Sequence, residues 1–397
     1  MRTKTFLYAA IGPALTCHLL DSDGARLTKG DSLRLPAAVQ YAVAHKSGRT
    51  LYVASSDGAP GLGIAGSIHR LEAFRIEPRT GALTPHGAPR VLPSRPIHVS
   101  ADPASRHLLV AYSVPAAVEI YRTAPDETLG SLVGQLAAIT LGRFLHHVHV
   151  TPDGCRAILV CRGHDATTEQ PEQPGSLNVF SFDDGQLHDQ QVVAPQGGYG
   201  FGPRDVDCHP AKPWLYVSQE RQNELAMFAW SADGALEAEP RLRVSTLAAA
   251  RPDVHQLAGL VRVHPNGRFV YVANRAPEIR GPGHRPAFTG GDNTIAVYAI
   301  DPESGEPQLI QHVDTAGIHC RCFQIDASGR LLIAAHITAL KVREGAFERL
   351  VPAGISIFRI ADDGRLTLAR RHEEDVGDDL LFWMGLVAVP GEQSMSA

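Results

Sequence analysis

The chain has 397 residues and only six cysteines, none of them in a Cys-x-x-Cys pair. That removes the spacing on which zinc ribbons and redox dithiols depend. Cys17, Cys155, Cys161, Cys208, Cys320 and Cys322 are scattered along the sequence. Cys320 and Cys322 are expected to share one face of a strand, but two ligands do not make a metal site. Scattered, reduced thiols point to the cytoplasm. No apolar run approaches the ~20 residues of a membrane-spanning helix. The net charge is −5, and no basic block interleaves with aromatics. Nucleic acid and anionic membranes are therefore excluded as partners. Aromatic residues make up 6% of the chain, too few for the exposed hot spots of a protein-docking platform.

What is abundant is turn chemistry. The chain carries 37 glycines and 28 prolines beside 44% hydrophobic residues, a composition that predicts many short strands around a buried core. Self-similarity supports this. The stretches HKSGRTLYVASS (45–56), DPASRHLLVAYS (102–113), TPDGCRAILVCRG (151–163), HPAKPWLYVSQE (209–220), HPNGRFVYVANR (264–275) and DASGRLLIAAH (326–336) each pair a turn with a β-type run. Each is followed by a second signature, such as LNVFSFDDGQL (177–187) or ISIFRIADDGRL (355–366). Alternating apolar residues ending in Asp/Gly turns read as antiparallel strands.

These are six units, and the opening FLYAAIGPALTCHLLDSDGARL repeats the same order. The apolar start resembles an export signal, but Phe6 to Ala10 fall where FVYVA falls in another unit, so they are expected to form a strand. The opening unit lacks the strand that precedes the turn elsewhere, and MGLVAVPG (384–391) supplies it. Pairing of N- and C-terminal strands would close the array and remove its edges. The expected fold is all-β, a seven-bladed β-propeller spanning residues 1–397 as a single domain. The unit length exceeds the usual blade of ~40–50 residues, so insertions are expected at 164–175, 276–292 and 337–353. Such loops often wall a site.

Within each hairpin, the start of the first strand and the end of the second lie at one rim, opposite the turn. Six residues before the turn proline or its equivalent stand Met384, Gln40, Ile97, His146, Arg204, Gly259 and Arg321. At the second-strand ends stand Gly12, Ser56, Ser113, Gly163, Glu220, Arg275 and His336. Small, neutral or apolar residues come from the first three blades. His146, Arg204, Glu220, Arg275, Arg321 and His336 crowd the other half, a set that can hold an anion and move protons. Trp383 and Tyr112 lie near the same rim, where they could line a sugar pocket. His209 and His264 sit at turns on the far side. His147 and His149 alternate away from His146, so the HHVH run is not expected to bind metal.

At GFGPRDVDCHPAKPWLYVSQE, LHHVHVTPDG and VRVHPNGRFVYVANR the chain resembles the seven-bladed propeller lactonase family. That family includes bacterial propeller-type 6-phosphogluconolactonases and fungal carboxy-cis,cis-muconate cyclases. The resemblance implies a site of His146, Arg204, Glu220 and Arg275, four residues already in the convergent half-ring. Asp205 stands where the family often has histidine, and Arg321 lies in HCRC rather than a Pro-Arg stretch.

The expected activity is hydrolysis of an anionic sugar-acid lactone, a small-molecule substrate, without cofactor or metal. Glu220 or His146 would activate water and the other return the proton, while Arg204 and Arg275 hold the substrate anion and the oxyanion. Arg321, His336 and Gln40 would bind substrate. No Gly-x-Ser-x-Gly elbow supports a covalent route. Muconate cyclisation by the same residues, and a non-catalytic propeller that docks a protein, are the alternatives.

Overall fold

The turns marked by the repeat close β-hairpins. In the computed structural model, which describes residues 3–58, 64–249, 254–276, 279–280, 287–288, 290–344 and 347–391, Leu257–Val263 pairs antiparallel with Phe269–Arg275. The turn between them is fixed by His264 N–H donating to the Phe269 carbonyl and Gly267 N–H to the His264 carbonyl, both at 2.8 Å. Thr294–Ile300 and Pro307–Asp314 complete a four-stranded sheet. This unit recurs seven times, in one case with the outermost strand split into Leu83–Pro85 and Arg90–Val91. Lys4–Ile11 is a strand, and its sheet is completed by Leu381–Val389 from the far end of the chain. Among the described residues there is no α-helix, only the 3₁₀ turn Pro195–Gly198.

The chain divides into two compact units, neither continuous in sequence. The first comprises Met1–Cys161, Leu177–Val192 and Phe382–Ala397, and the second Arg162–Ser176 and Val193–Leu381. In the first, the strands Ala38–Ala44, Pro96–Ala101 and Leu145–Val150 lead successive sheets and pack side by side. Phe6, Tyr8, Val39, Leu51, Val53 and Trp383 form part of its core. In the second, Pro203–Cys208, Leu257–Val263 and Cys320–Ile325 play the same part, with Tyr216, Met227, Val261, Val270 and Tyr298 in one cluster and Tyr271, Phe323, Leu332 and Phe358 in another. The second strand of each sheet is buried on both faces, as in Thr50–Ser56 and Phe269–Arg275. That is why these runs read as almost continuously apolar.

Side chains repeated at fixed places tie neighbouring sheets of the second unit together. The Tyr216 hydroxyl donates to the Gly305 carbonyl at 2.7 Å, and Tyr271 does the same to Gly364 at 3.0 Å. His209 Nδ1 accepts the Ala211 and Lys212 amides, so its Nε2 carries the proton donated to the Gly267 carbonyl at 2.9 Å. His264 accepts from Asn266 and donates to the Gly329 carbonyl in the same way. Both histidines are turn residues, as their sequence position indicates.

The 164–175 insertion is closed by a bridge between His164 and Gln173, and its Asp165 and Glu172 pair with the buried Arg221. Parts of the other two insertions form a small sheet of Ile279–Arg280, Ala287–Phe288, Leu340–Glu344 and Phe347–Val351. Much of 276–292, expected to wall the site, lies outside the described residues.

Candidate active site

The first strand of the sheets carries a bulge at the rim position. Leu145 faces Cys161 and His147 faces Val160, leaving His146 as an extra residue. Arg204 is extra between Pro203 and Asp205, Arg321 between Cys320 and Cys322, and Gln40 between Val39 and Tyr41. Ile97 is skipped in the same way, and Gly259 with Leu260 together face Ala273. A bulge bends the strand and re-aims the extra side chain, so these residues escape the in–out alternation of the strand. The bulge also overturns the expectation that Cys320 and Cys322 share a face. They stand opposite His336 and Ala335, adjacent residues whose side chains alternate.

In the second unit the structure brings Arg204, Glu220 and Arg275 together. Glu220 follows the strand Trp214–Gln219, its N–H donating to the Gly202 carbonyl at 2.8 Å and its carbonyl accepting the Ala258 N–H at 3.0 Å. Its Oε1 accepts from Arg204 Nε at 2.9 Å and from Arg275 Nη2. Its Oε2 accepts from Arg162 Nη1 at 2.6 Å. Arg204, Glu220 and Arg275 are almost wholly enclosed, at 4%, 1% and 5% exposure. The three guanidinium groups outnumber the carboxylate by two positive charges. Burial, and then the neighbouring Arg204, pull the Arg275 guanidinium down to about 10. Arg275 Nε and Nη1 have no acceptor among the described residues. Buried donors of this kind are costly to leave empty, and an anion would satisfy them.

Arg162 was not among the residues expected from sequence. It sits one position before Gly163, the residue counted as the strand end. His319 was also missed. It is half-buried directly before the bulged strand, within electrostatic reach of Arg275, Arg321, Arg204 and Glu220. The only sequence signal is its place two residues before Arg321 in HCRC.

Asp205 has a structural reason for departing from the family pattern. Its buried carboxylate accepts the Val261 N–H at 3.0 Å and Arg262 Nη1 at 2.7 Å, joining two neighbouring strands. Two expected substrate binders turn into the protein instead. His336 is fully buried, its Nδ1 3.2 Å from the Gly354 carbonyl, and Gly317 packs so close that a Cβ there would meet the ring at 2.4 Å. Burial, then the charge of Arg371, lowers its imidazole to about 4. It is a neutral core residue with no face to offer a substrate. Gln40 Nε2 donates to the Ala38 and Ser56 carbonyls at 3.1 and 3.3 Å, tying the two strands of its own hairpin. Arg321 is half-buried at its bulge, and His146 is half-buried at its own in the first unit.

Tyr112 and Trp383 are both buried rather than lining a pocket. The Tyr112 hydroxyl donates to Glu119 Oε2 at 2.6 Å, and Trp383 packs edge-on to Tyr41. His147 stacks near-parallel on His149 and lies 4.1 Å from the His98 ring, centroid to centroid. Among the described residues no group of three or more His, Cys, Asp or Glu could hold a metal ion.

The repeated four-stranded sheets agree with the family that the sequence matches. Residues 12–349 match the lactonase family of seven-bladed β-propellers, and the chain belongs to it. Among curated relatives, the 6-phosphogluconolactonase of Bacillus subtilis (strain 168) is 26% identical over 314 residues, 75% of this chain and 76% of its own length. That of Enterobacter sp. (strain 638) is 25% identical over 339 residues, covering 84% and 88%. A solved structure, the periplasmic gluconolactonase of Pseudomonas aeruginosa, resembles the fold across 98% of this chain and 100% of its own, with a TM-score of 0.72 at 19% identity.

Proposed function

We propose that the protein hydrolyses a sugar-acid lactone that bears a phosphate or carboxylate. The observation that carries this reading is the single carboxylate of Glu220 shared by the buried Arg204 and Arg275 and the partly exposed Arg162. A surplus of enclosed guanidinium groups binds an anion by charge-assisted hydrogen bonds, and can also stabilise the oxyanion formed when water adds to an ester carbonyl. Arg321 extends the same positive field. Both Glu220 oxygens are already engaged by arginines, so its part is to hold the guanidinium groups in place. Proton transfer then falls to an imidazole. An enclosed charged cluster favours a small substrate over a docked protein. None of the six cysteines is in a disulfide and five are buried, which supports a cytoplasmic setting.

The test is hydrolysis of a lactone panel followed by pH-stat against the spontaneous rate: 6-phosphogluconolactone, aldaro- and muconolactones, and neutral glucono-δ-lactone. Arg275→Ala is expected to lower kcat/KM for the preferred anionic lactone by roughly 10²–10³-fold, and for the neutral lactone by much less. Equal losses on both would remove the anion from the reading. Absence of turnover on every lactone would overturn it.

A further inference from the structure

His319 is held in a conformation that most side-chain-bearing residues avoid. Its φ is +58°, in the left-handed region where non-glycine residues are uncommon and where strain collects at functional sites. Both backbone polar groups are tied down. The N–H donates to Asn293 Oδ1 at 2.7 Å, and the carbonyl accepts the Ile337 N–H at 3.3 Å. Asn293 is itself fixed, its carbonyl accepting the Thr315 N–H and hydroxyl at 3.0 and 2.8 Å.

The imidazole so positioned makes no hydrogen bond to any described residue, although charged groups lie within electrostatic reach of it: Arg275, Arg321, Arg204 and Glu220. A structural histidine in this fold is bonded through its ring, as His209 and His264 are. An imidazole whose backbone is anchored twice, whose ring has no hydrogen-bond partner among the described residues and which lies within electrostatic reach of the arginine set is arranged for a ligand or for water.

Resting on the lactonase reading, we propose that His319 is the general base that takes the proton from the attacking water. The water oxygen bonds to the lactone carbonyl carbon as one of its O–H bonds breaks, and the proton passes to the imidazole. The carbonyl electron pair moves onto oxygen beside the arginines. On collapse the bond from carbonyl carbon to ring oxygen breaks, and the departing oxygen takes up the proton held by the imidazolium, which returns His319 to its neutral form. The hydroxy acid so formed releases its own proton to solvent. Burial first, and then the charges of Arg275, Arg321 and Arg204, hold the His319 imidazole well below its ordinary range. Its lone pair is therefore available at neutral pH.

His319→Asn tests this, because asparagine tolerates the left-handed region, and His319→Gly with added imidazole provides a second variant with no strain at all. With the lactone preferred by the wild type, His319→Asn is expected to lower kcat by about 10²–10³-fold and leave KM within a few-fold. The acid limb of its kcat/KM profile should disappear, and imidazole should restore part of the His319→Gly activity. A kcat within a few-fold of wild type would overturn the assignment while leaving the lactonase reading intact. So would a loss in both folded variants with neither rescue nor a changed acid limb, which would make His319 a positioning residue. A wild type inert on every lactone would overturn the lactonase reading and this proposal together.

Discussion

Glu220 Oε2 lies 2.6 Å from Arg162 Nη1, although the two residues are 58 positions apart. With Arg204 and Arg275 on the other oxygen, one carboxylate is the counterion for three guanidinium groups, two of them enclosed. Glu220→Gln keeps the shape and removes the charge. Breaking a buried ion pair from one side costs about 3 kcal/mol, so the unfolding free energy in urea should drop by about that much. Phosphate, which can replace the missing charge, should raise the melting temperature of Glu220→Gln more than that of the wild type. Equal shifts would mean that the arginines do not form an anion site.

A second enclosed carboxylate sets the acid limit of stability. Glu127 receives Arg49 and Thr50 at 2.5 Å and Arg75 at 3.0 Å. Burial pulls its carboxyl up, but these hydrogen bonds outweigh it and hold it at about 2. A carboxylate depressed in the folded state stabilises above its ordinary pKa and loses that contribution as pH falls. Glu127→Gln should melt well below wild type at pH 7, and the gap should close between about pH 4.5 and 2. Melting curves across that range check it.

The tyrosine links between sheets are open to a simple measurement. Tyr216→Phe and Tyr271→Phe each remove a hydroxyl that satisfies a glycine carbonyl, and each should cost about 1 kcal/mol. The two bonds share no partner, so the double variant should lose the sum within about 0.5 kcal/mol.

Gly329 has φ +70°, and a Cβ on it would stand 2.6 Å from His264 Cε1. Gly154 has φ +74° with nothing within 4 Å. Gly154→Ala should therefore pay only the left-handed penalty of about 1–2 kcal/mol. Gly329→Ala should cost more, because the His264 ring must also leave its bond to the Gly329 carbonyl. Comparable melting temperatures for the two variants would mean that the histidine link contributes little.

The strands were legible because their signals are local. Each unit announces its hairpin with a turn and a β-run, and the missing strand of the opening unit could be matched to Leu381–Val389 by pattern alone. Counting back from the turns also located the bulged residues, Arg204 and Arg321 among them. What counting could not supply was the direction of a side chain after a bulge or in a loop. Gln40 and His336 occupy the expected positions yet turn into the protein. Arg162 lies just short of the counted position and still reaches Glu220. His319 precedes its strand in a left-handed conformation, where no strand periodicity applies.

The bulges separate two demands that a strand normally has to meet together. Along a regular strand, replacing a residue changes whichever face it serves, so new chemistry competes with the core. The extra residue at Gln40, Ile97, His146, Arg204 or Arg321 is skipped in the register of the ladder. These positions hold glutamine, isoleucine, histidine and arginine while the residues on either side keep their pairing. One position in the leading strand can therefore differ in chemistry from sheet to sheet without disturbing the sheets themselves.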